Sequence, residues 1–383
     1  MQHNKLRIAI RTTAAVAILG AAGQVGAVTF NANGYETSIY GYARFNASYD
    51  IDENISNSTQ SGSFETLDTT GTDQATGHFG ADAVQTRLGV KTVTPEGVTV
   101  VIEGDFRGNT LRLRHGYGEY HGILLGQTWS NFNSFVGNTS TLDFDSLAGL
   151  AGLQGRKAQA RYTTGPLSFS LEDPSTSILD SDDVRSSSPA ATVRLEDSAG
   201  GLSYSVAGLV HEVTLDTGAL VGGNTNESTV GFATFVAASM ALTDMLSIQG
   251  TLSYSDGANA YLYRSGDNFG AEDAYLHNGS LESIAGYGGS IGAGLDLGGG
   301  RSINAGYGMV TVDWDDAERD LTLTGPEEVG NKSKTNQNLM VNYQWTPVKH
   351  VTMGVEYAYF KRKNQDGEDG SASRILFGSQ YNF

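Results

Sequence analysis

The sequence predicts an all-β protein: a transmembrane antiparallel β-barrel of about sixteen strands, with short periplasmic turns and long outer loops. Three observations carry that expectation. Apolar and polar residues alternate at every second position in segment after segment, the connections alternate between short and long, and the chain closes on a strand that ends at Phe383.

The first segment, 37–50, sets Ile39, Gly41, Ala43, Phe45, Ala47 and Tyr49 against Tyr40, Tyr42, Arg44, Asn46 and Ser48. Successive side chains of a strand point to opposite faces, so one face is apolar or small and the other polar. The pattern recurs with Val98, Val100, Ile102, Gly104 and Phe106 against Thr99, Glu103, Asp105 and Arg107, and with Leu339, Val341, Tyr343 and Trp345 against Asn338, Asn342 and Gln344. No helical periodicity of comparable length is present.

Tight connections are expected at Pro95-Glu96-Gly97, His121-Gly122, Gly165-Pro166, 197–201, 243–245, 298–300 and 346–349, all rich in turn-forming residues. Between them lie longer polar stretches at 51–84, 129–155, 173–188, 216–227, 256–280, 315–335 and 362–372; 108–110 is a short distal connection. Short turns on one side and long loops on the other are the layout of an outer-membrane barrel. A soluble sandwich alternates equally well. Aromatic residues near strand ends (Tyr162, Trp345, Tyr359, Tyr381), arginines on the polar face and the terminal Phe383 favour the membrane.

The chain opens with Lys5, Arg7 and Arg11, an apolar run from Ala14 to Ala22, and Val25-Gly26-Ala27. That is the pattern of a secretory leader, 1–27, cut after Ala27, followed by one barrel unit, 28–383. No later stretch approaches the roughly 20 apolar residues of a membrane helix. Cysteine is absent, which excludes disulfides, thiol catalysis and cysteine metal sites. The net charge of −18 includes the leader cations, so the mature part is more acidic still, and nucleic acid is not an expected partner.

With the apolar face outward, Arg44, Arg87, Lys91, Arg107, Arg112, Arg114, Lys157, Arg161, Arg194 and Arg374 point into the lumen, beside the acids Glu103, Asp105, Glu172 and Glu356. The acid surplus falls in outer loops, at Asp50, Asp52, Glu53, Asp68, Asp73, Asp180, Asp182, Asp183, Asp315, Asp316, Glu318, Asp320, Asp366, Glu368 and Asp369. A basic wall lowers the barrier for anions, and guanidinium grips carboxylates in two parallel bonds. The expected solutes are therefore small anions, carboxylates above all. The competing reading has these arginines pair with the inward acids as structural supports. The stretch 129–155 carries Trp129, Phe132, Phe135 and Leu147 with Asp143 and Asp145, so it is expected to fold inward and set the two carboxylates opposite Arg112 and Arg114.

Other motifs carry less. Gly288-Gly289-Ser290-Ile291-Gly292 matches a nucleophile elbow but lies mid-strand with no following helix. Asn364 to Gly370 and Asp313 to Asp316 lack the ligand spacing of a calcium loop. Of the histidines, His3 leaves with the leader, His350 sits at a turn, and His115 falls on the outward parity, which suggests a subunit interface or a wetter level.

Three blocks go beyond barrel grammar: Glu103-Gly104-Asp105-Phe106, then Leu111 through Tyr120 (Leu-Arg-Leu-Arg-His-Gly-Tyr-Gly-Glu-Tyr), then Leu125-Gly126-Gln127-Thr128-Trp129-Ser130-Asn131-Phe132. They are continued by Thr141-Leu142-Asp143-Phe144, Gln159-Ala160-Arg161-Tyr162 and Leu171-Glu172-Asp173-Pro174, and together resemble the core of the DcaP-like trimeric porins. The resemblance implies a sixteen-stranded homotrimeric channel preferring small anions such as dicarboxylates, with Arg112, Arg114 and Arg161 on the basic side of the eyelet. Some members carry an amino-terminal coiled coil, and here the first strand follows soon after Ala27.

The expected function is passive diffusion through the bacterial outer membrane, without cofactor or catalysis. Expected partners are outer-membrane lipid and lipopolysaccharide, further copies of the chain, small anionic solutes, and the assembly machinery that reads Phe383. The alternative is a structural or adhesive surface protein acting through its acidic loops. A barrel hydrolase would need a Ser-His pair at adjacent strand ends, and no such pair can be assigned.

Overall fold

A computed structural model describes residues 27–72, 75–108, 110–216 and 226–383. The leader expected at 1–27, the acid Asp73 and most of the connection at 216–227 lie outside or at the edge of the described residues.

A closed antiparallel barrel of 16 strands forms, with extra short strands outside it. In chain order the wall is β1 (Tyr35–Asp50), β2 (His78–Asp82 continued by Arg87–Val93), β3 (Thr99–Asp105), β4 (Arg112–Tyr120), β5 (Ile123–Trp129), β6 (Arg156–Thr164), β7 (Leu167–Glu172) and β8 (Ala190–Ala199). It continues with β9 (Leu202–Asp216), β10 (Asn226–Ala241), β11 (Leu246–Asp256), β12 (Ala285–Gly298), β13 (Arg301–Val312), β14 (Ser333–Trp345), β15 (Val351–Asn364) and β16 (Asp369–Asn382). Neighbours in sequence pair, and β1 closes on β16 from Tyr42↔Asn382 to Asp50↔Arg374. Phe383 extends that seam, exchanging backbone hydrogen bonds with Gly41. A short strand, Val28–Ala32, hairpins back on β1 through Asn33 and Gly34, both at positive φ. That pair of left-handed residues gives the turn twist a two-residue hairpin needs.

The alternation sorts the wall as expected over most of its length. Phe45, Val90, Ile102, Leu125, Phe169, Val236 and Ile291 are exposed on the outer surface. Arg44, Arg87, Glu103, Thr192, Gln249 and Glu356 are buried within. The short turns carry glycines at positive φ, at Gly97, Gly122, Gly165, Gly200, Gly201 and Gly298 to Gly300. The Gly-Gly-Ser-Ile-Gly motif lies inside β12, where Ser290 Oγ shares a hydrogen bond with Thr251 at 3.0 Å. A single short α-helix among the described residues, Asp315–Asp320, sits in an outer loop and is anchored by Trp314, whose indole N–H donates to Ser333 O.

Two parts of the alternation pattern break. Between β3 and β4 the register shifts from Glu103↔His115 to Gly104↔Leu113, so one extra residue bulges on β4. A bulge of this kind resets parity. Arg114 and His115 therefore both point inward, and His115 Nδ1 meets Thr128 Oγ1 at 3.0 Å beside Trp129. The outward placement expected for His115 is thus corrected. On β9 and β10 the inner face is apolar: Ala207, Leu209, Ala233, Phe235 and Ala237 pack with Phe132 and Ala151 of an inward loop.

That loop, 130–155, is the third outer connection, and it crosses the lumen. Its neck is held by Glu172 on β7, whose carboxylate accepts the Asn131 N–H and the Ser130 hydroxyl, both at 2.6 Å. Farther along, Glu356 on β15 accepts the N–H groups of Leu142 (2.8 Å) and Asp143 (2.7 Å). Between these pins the loop lies flush on inward-facing glycines. A Cβ at Gly308 would stand 2.3 Å from Ala148 O, and one at Gly306 2.7 Å from Leu147. Gly292 and Gly354 meet the loop in the same way, so glycines of the wall permit its close approach. Two further outer loops, 51–77 and 257–284, also turn inward. Ile55, Phe64 and Leu67 of the first and Leu262 and Tyr263 of the second share one apolar core with Leu147, Leu150, Met340 and Phe360.

Candidate functional site

The inward loops lean on the wall from β7 to β16 and on β1, and leave the inner face of β2 to β6 the least covered. That face carries a cluster of arginines. Arg112 on β4 grips Asp105 of β3 through two bonds, at 2.6 and 3.1 Å. Arg114 reaches the same carboxylate at 2.6 Å and lies 3.5 Å from Glu103. Arg87 on β2 is 3.5 Å from Glu103. Arg156, the first residue of β6, stacks over Trp129 at 4.6 Å and lies within electrostatic reach of Arg114, Arg87 and Arg112. Three arginines thus share two carboxylates, Glu103 and Asp105, with Arg156 as a fourth cation beside them. Among the described residues, Arg87 Nε and Nη2, Arg114 Nη2 and Arg156 Nη1 are buried donors without a hydrogen-bond partner. Buried guanidinium groups normally find acceptors. Here the free donors converge on one stretch of wall.

Opposite this wall stands Phe144, the one half-buried residue in the otherwise buried run 141–150. Its ring lies 5.5 Å from the Arg87 guanidinium and 5.6 Å from that of Arg114. Tyr42 supports Arg87 from the other side at 5.2 Å. Phe144 therefore packs its aromatic face against the two guanidinium groups in cation–π contact, fixing the 130–155 loop to the basic wall at this point. On its periplasmic side opens a chamber of about 470 Å³ bordered by Tyr40, Lys91, Tyr117, Glu119 and His121.

The carboxylates expected to face the arginines turn away from them. Asp143 accepts the N–H of Gly62 at 2.9 Å and those of Asp145 and Ser146 within its own loop. Burial pushes its carboxyl up to about 6, with Arg264 opposing that rise. Asp145 is buried and lies beside Tyr263. Both belong to the loop's internal scaffold, because a carboxylate beside several orphan backbone N–H groups satisfies them better than water excluded from the turn. The expected field between Asp143, Asp145 and the arginines is corrected accordingly.

The remaining wall residues divide by role. Arg161 on β6 and Arg194 on β8 continue the basic face toward the periplasm, and Arg194 also donates to Asn133 O of the inward loop. Lys157 lies 3.9 Å from Asp173. Arg107 stands just beyond β3 at the outer end, its N–H donating to Asp105. Arg44 is buried behind the inward loop and donates to Leu142 O at 2.9 Å. Arg374 has no exposed surface: it pairs with Asp50 at 2.5 and 3.0 Å beneath the 51–77 loop. It is a buried support and not a pore-lining group, and Asp50 ends β1 inside the barrel instead of joining the acidic outer loops.

The matches to known proteins agree with this geometry. The family model for the DcaP outer membrane protein matches residues 27–383. The chain belongs to that family. Among solved structures, the outer membrane channel DcaP of Acinetobacter baumannii is 27% identical, covering 92% of this chain and 99% of that one with a TM-score of 0.79. OmpT of Vibrio cholerae is 12% identical over 93% of this chain and 99% of its own, with a TM-score of 0.56. An anion-selective porin from Comamonas acidovorans is 12% identical over 91% of this chain and 100% of its own, with a TM-score of 0.55. At these identities the last two speak for the fold alone. No curated protein sequence matches the chain. This DcaP-family protein is accordingly an outer-membrane channel and not an enzyme.

Arg156 and Phe144 were not legible as site residues. Arg156 precedes Lys157, so strict alternation turns it outward; it points in because it begins its strand at the loop junction. Phe144 sits between Asp143 and Asp145 in a loop, where no strand parity assigns its side chain a direction.

Proposed function

We propose that the channel prefers small anions, carboxylates and dicarboxylates above all, passing along the arginine-bearing wall of β2 to β6. One observation carries this reading: the wall gathers Arg87, Arg112, Arg114 and Arg156 beside two carboxylates, Glu103 and Asp105, which leaves the group net positive. The net positive field of the group draws a passing carboxylate, and the half-exposed Arg112 guanidinium is the member that meets it. A cation meets the same groups as a barrier.

The working unit in this reading is a homotrimer, formed after removal of a 1–27 leader and insertion by the assembly machinery that recognises Phe383. On the outer surface of β4 to β6, Gly116, Gly118, Ala158 and Ala160 surround Gln127, which donates to the bulge carbonyls of Leu113 and Arg114. Small residues around a polar group allow barrel walls to approach closely. Lipid and lipopolysaccharide cover the rest. Liposome swelling tests the solute preference. A small dicarboxylate should permeate faster than a neutral or cationic solute of equal size, and equal or slower entry would overturn the reading.

A further inference from the structure

We propose that Arg264 is a positioning residue of the channel: it ties the 130–155 loop to the 51–77 loop and so sets how far the 130–155 loop stands in the lumen. Its side chain has no exposed surface. Nη1 donates to Ser146 O and Nη2 to Gly62 O, each at 2.6 Å, and Nη2 also reaches Asn268 Oδ1 at 3.1 Å. The rings of Phe64 and Phe360 lie 4.7 and 5.2 Å from the guanidinium. One planar fork thus joins carbonyls from two different loops, a task a lysine ammonium performs less well because it lacks the fixed two-pronged geometry.

The backbone around Arg264 is held for this role. Arg264 adopts φ +62°, a left-handed conformation sparsely populated by residues other than glycine, and persists there because its surroundings fix it. Asn336 of β14 donates to Arg264 O at 2.8 Å and to Gly266 O at 2.6 Å, anchoring the segment to the wall. The neighbouring Tyr263 hydroxyl donates to Asp145 O at 2.9 Å.

These contacts bracket Phe144. On one side Asp143 accepts from Gly62; on the other Ser146 accepts from Arg264; and Phe144 N–H itself donates to Gln60 O at 2.9 Å. Glu356 and Asn338 hold the back of the same loop against the wall through the N–H groups of Leu142, Asp143 and Ala148, and Arg264 holds its front. A cavity of about 100 Å³ bordered by Phe144, Ser146, Leu150 and Tyr263 leaves room for the loop to relax once the fork is gone. The bore is therefore set by three outer loops joined at Arg264, with the 130–155 loop as the moving part.

The test uses the full-length protein in liposomes, with Arg264→Met, which keeps the stem between the two phenyl rings, and Arg264→Lys. Swelling is measured with neutral sugars of increasing size, so the result is independent of any charge preference. Arg264→Met should lose size exclusion and admit a sugar that the unaltered channel excludes, with Arg264→Lys between them, while the sign of ion selectivity stays the same. An unchanged cut-off in a folded variant overturns the proposal. So does failure of both variants to form a barrel, because a residue that acts only on loops leaves wall closure intact.

Discussion

Replacing Arg112 and Arg114 together by serine removes two of the four cations of the cluster. With Glu103 and Asp105 left in place, Arg87 and Arg156 then face two carboxylates, and the net charge of the group falls from +2 to zero. In a water-like dielectric, a unit charge about 5 Å from a passing ion contributes ~0.8 kcal/mol. Salt near 0.1 M, with a Debye length of about 10 Å, reduces that by roughly a third to a half. The two substitutions together therefore cost a monovalent anion about 1 kcal/mol, or about fivefold in partition at the constriction. A cation gains by a similar amount. Planar-bilayer recordings under a salt gradient read both changes as a shift of the reversal potential toward cation preference. An unshifted reversal potential in a double variant that still forms the barrel would refute the argument, because the filter would then lie elsewhere.

Three further outcomes follow from the structure. Arg374→Ala leaves Asp50 buried without its partner and should destabilise the barrel by roughly 3–5 kcal/mol, with selectivity unchanged; unfolding in detergent and a reversal-potential recording on the same sample check the two halves. Gly308→Val places a side chain against Ala148 O, where even a Cβ stands at 2.3 Å, and should push the 130–155 loop toward the arginines and lower conductance without loss of the barrel. Asp273, in an outer loop, accepts the N–H groups of Ser177 and Ala260, and burial holds its carboxyl up to about 8, with Glu272 adding to the rise. Between the ordinary carboxylate range and about 8 the folded loop binds more protons than the unfolded one, so its stability falls as pH rises through that window. The exchange protection of amides 258–271, corrected for the intrinsic base-catalysed rate, should fall as pH rises from about 5 to about 8, and Asp273→Asn should flatten the change; protection that is equally pH-sensitive in the variant would contradict the assignment.

The barrel was legible because its signals are local. Strand parity, glycine at turns and the alternation of short and long connections are each read within a dozen residues, and they yield the wall, its closure and the inward third loop. What escaped was non-local. Arg374 and Asp50 are 324 residues apart in the chain and meet only because the barrel closes between β16 and β1. Parity fails for His115 because one bulge residue on β4 resets it, and nothing in the local pattern marks that insertion. Asp143 and Asp145 were expected to face the wall because loop backbone demands are invisible without the turn they serve. Two signals were available for the packed outer half. Ile55, Phe64, Leu67, Leu262 and Tyr263 are apolar residues in stretches otherwise suited to solvent, and Gly306, Gly308, Gly354 and Gly378 fall on the inward parity, where a flush loop needs them.

The central claim is that the wall of β2 to β6 makes this channel prefer anions although the whole chain is acidic. The reversal potential of the unaltered protein in a planar bilayer, measured under a potassium chloride gradient, tests it most directly. The account predicts a potential of the sign set by chloride; a potential of the sign set by potassium would contradict it.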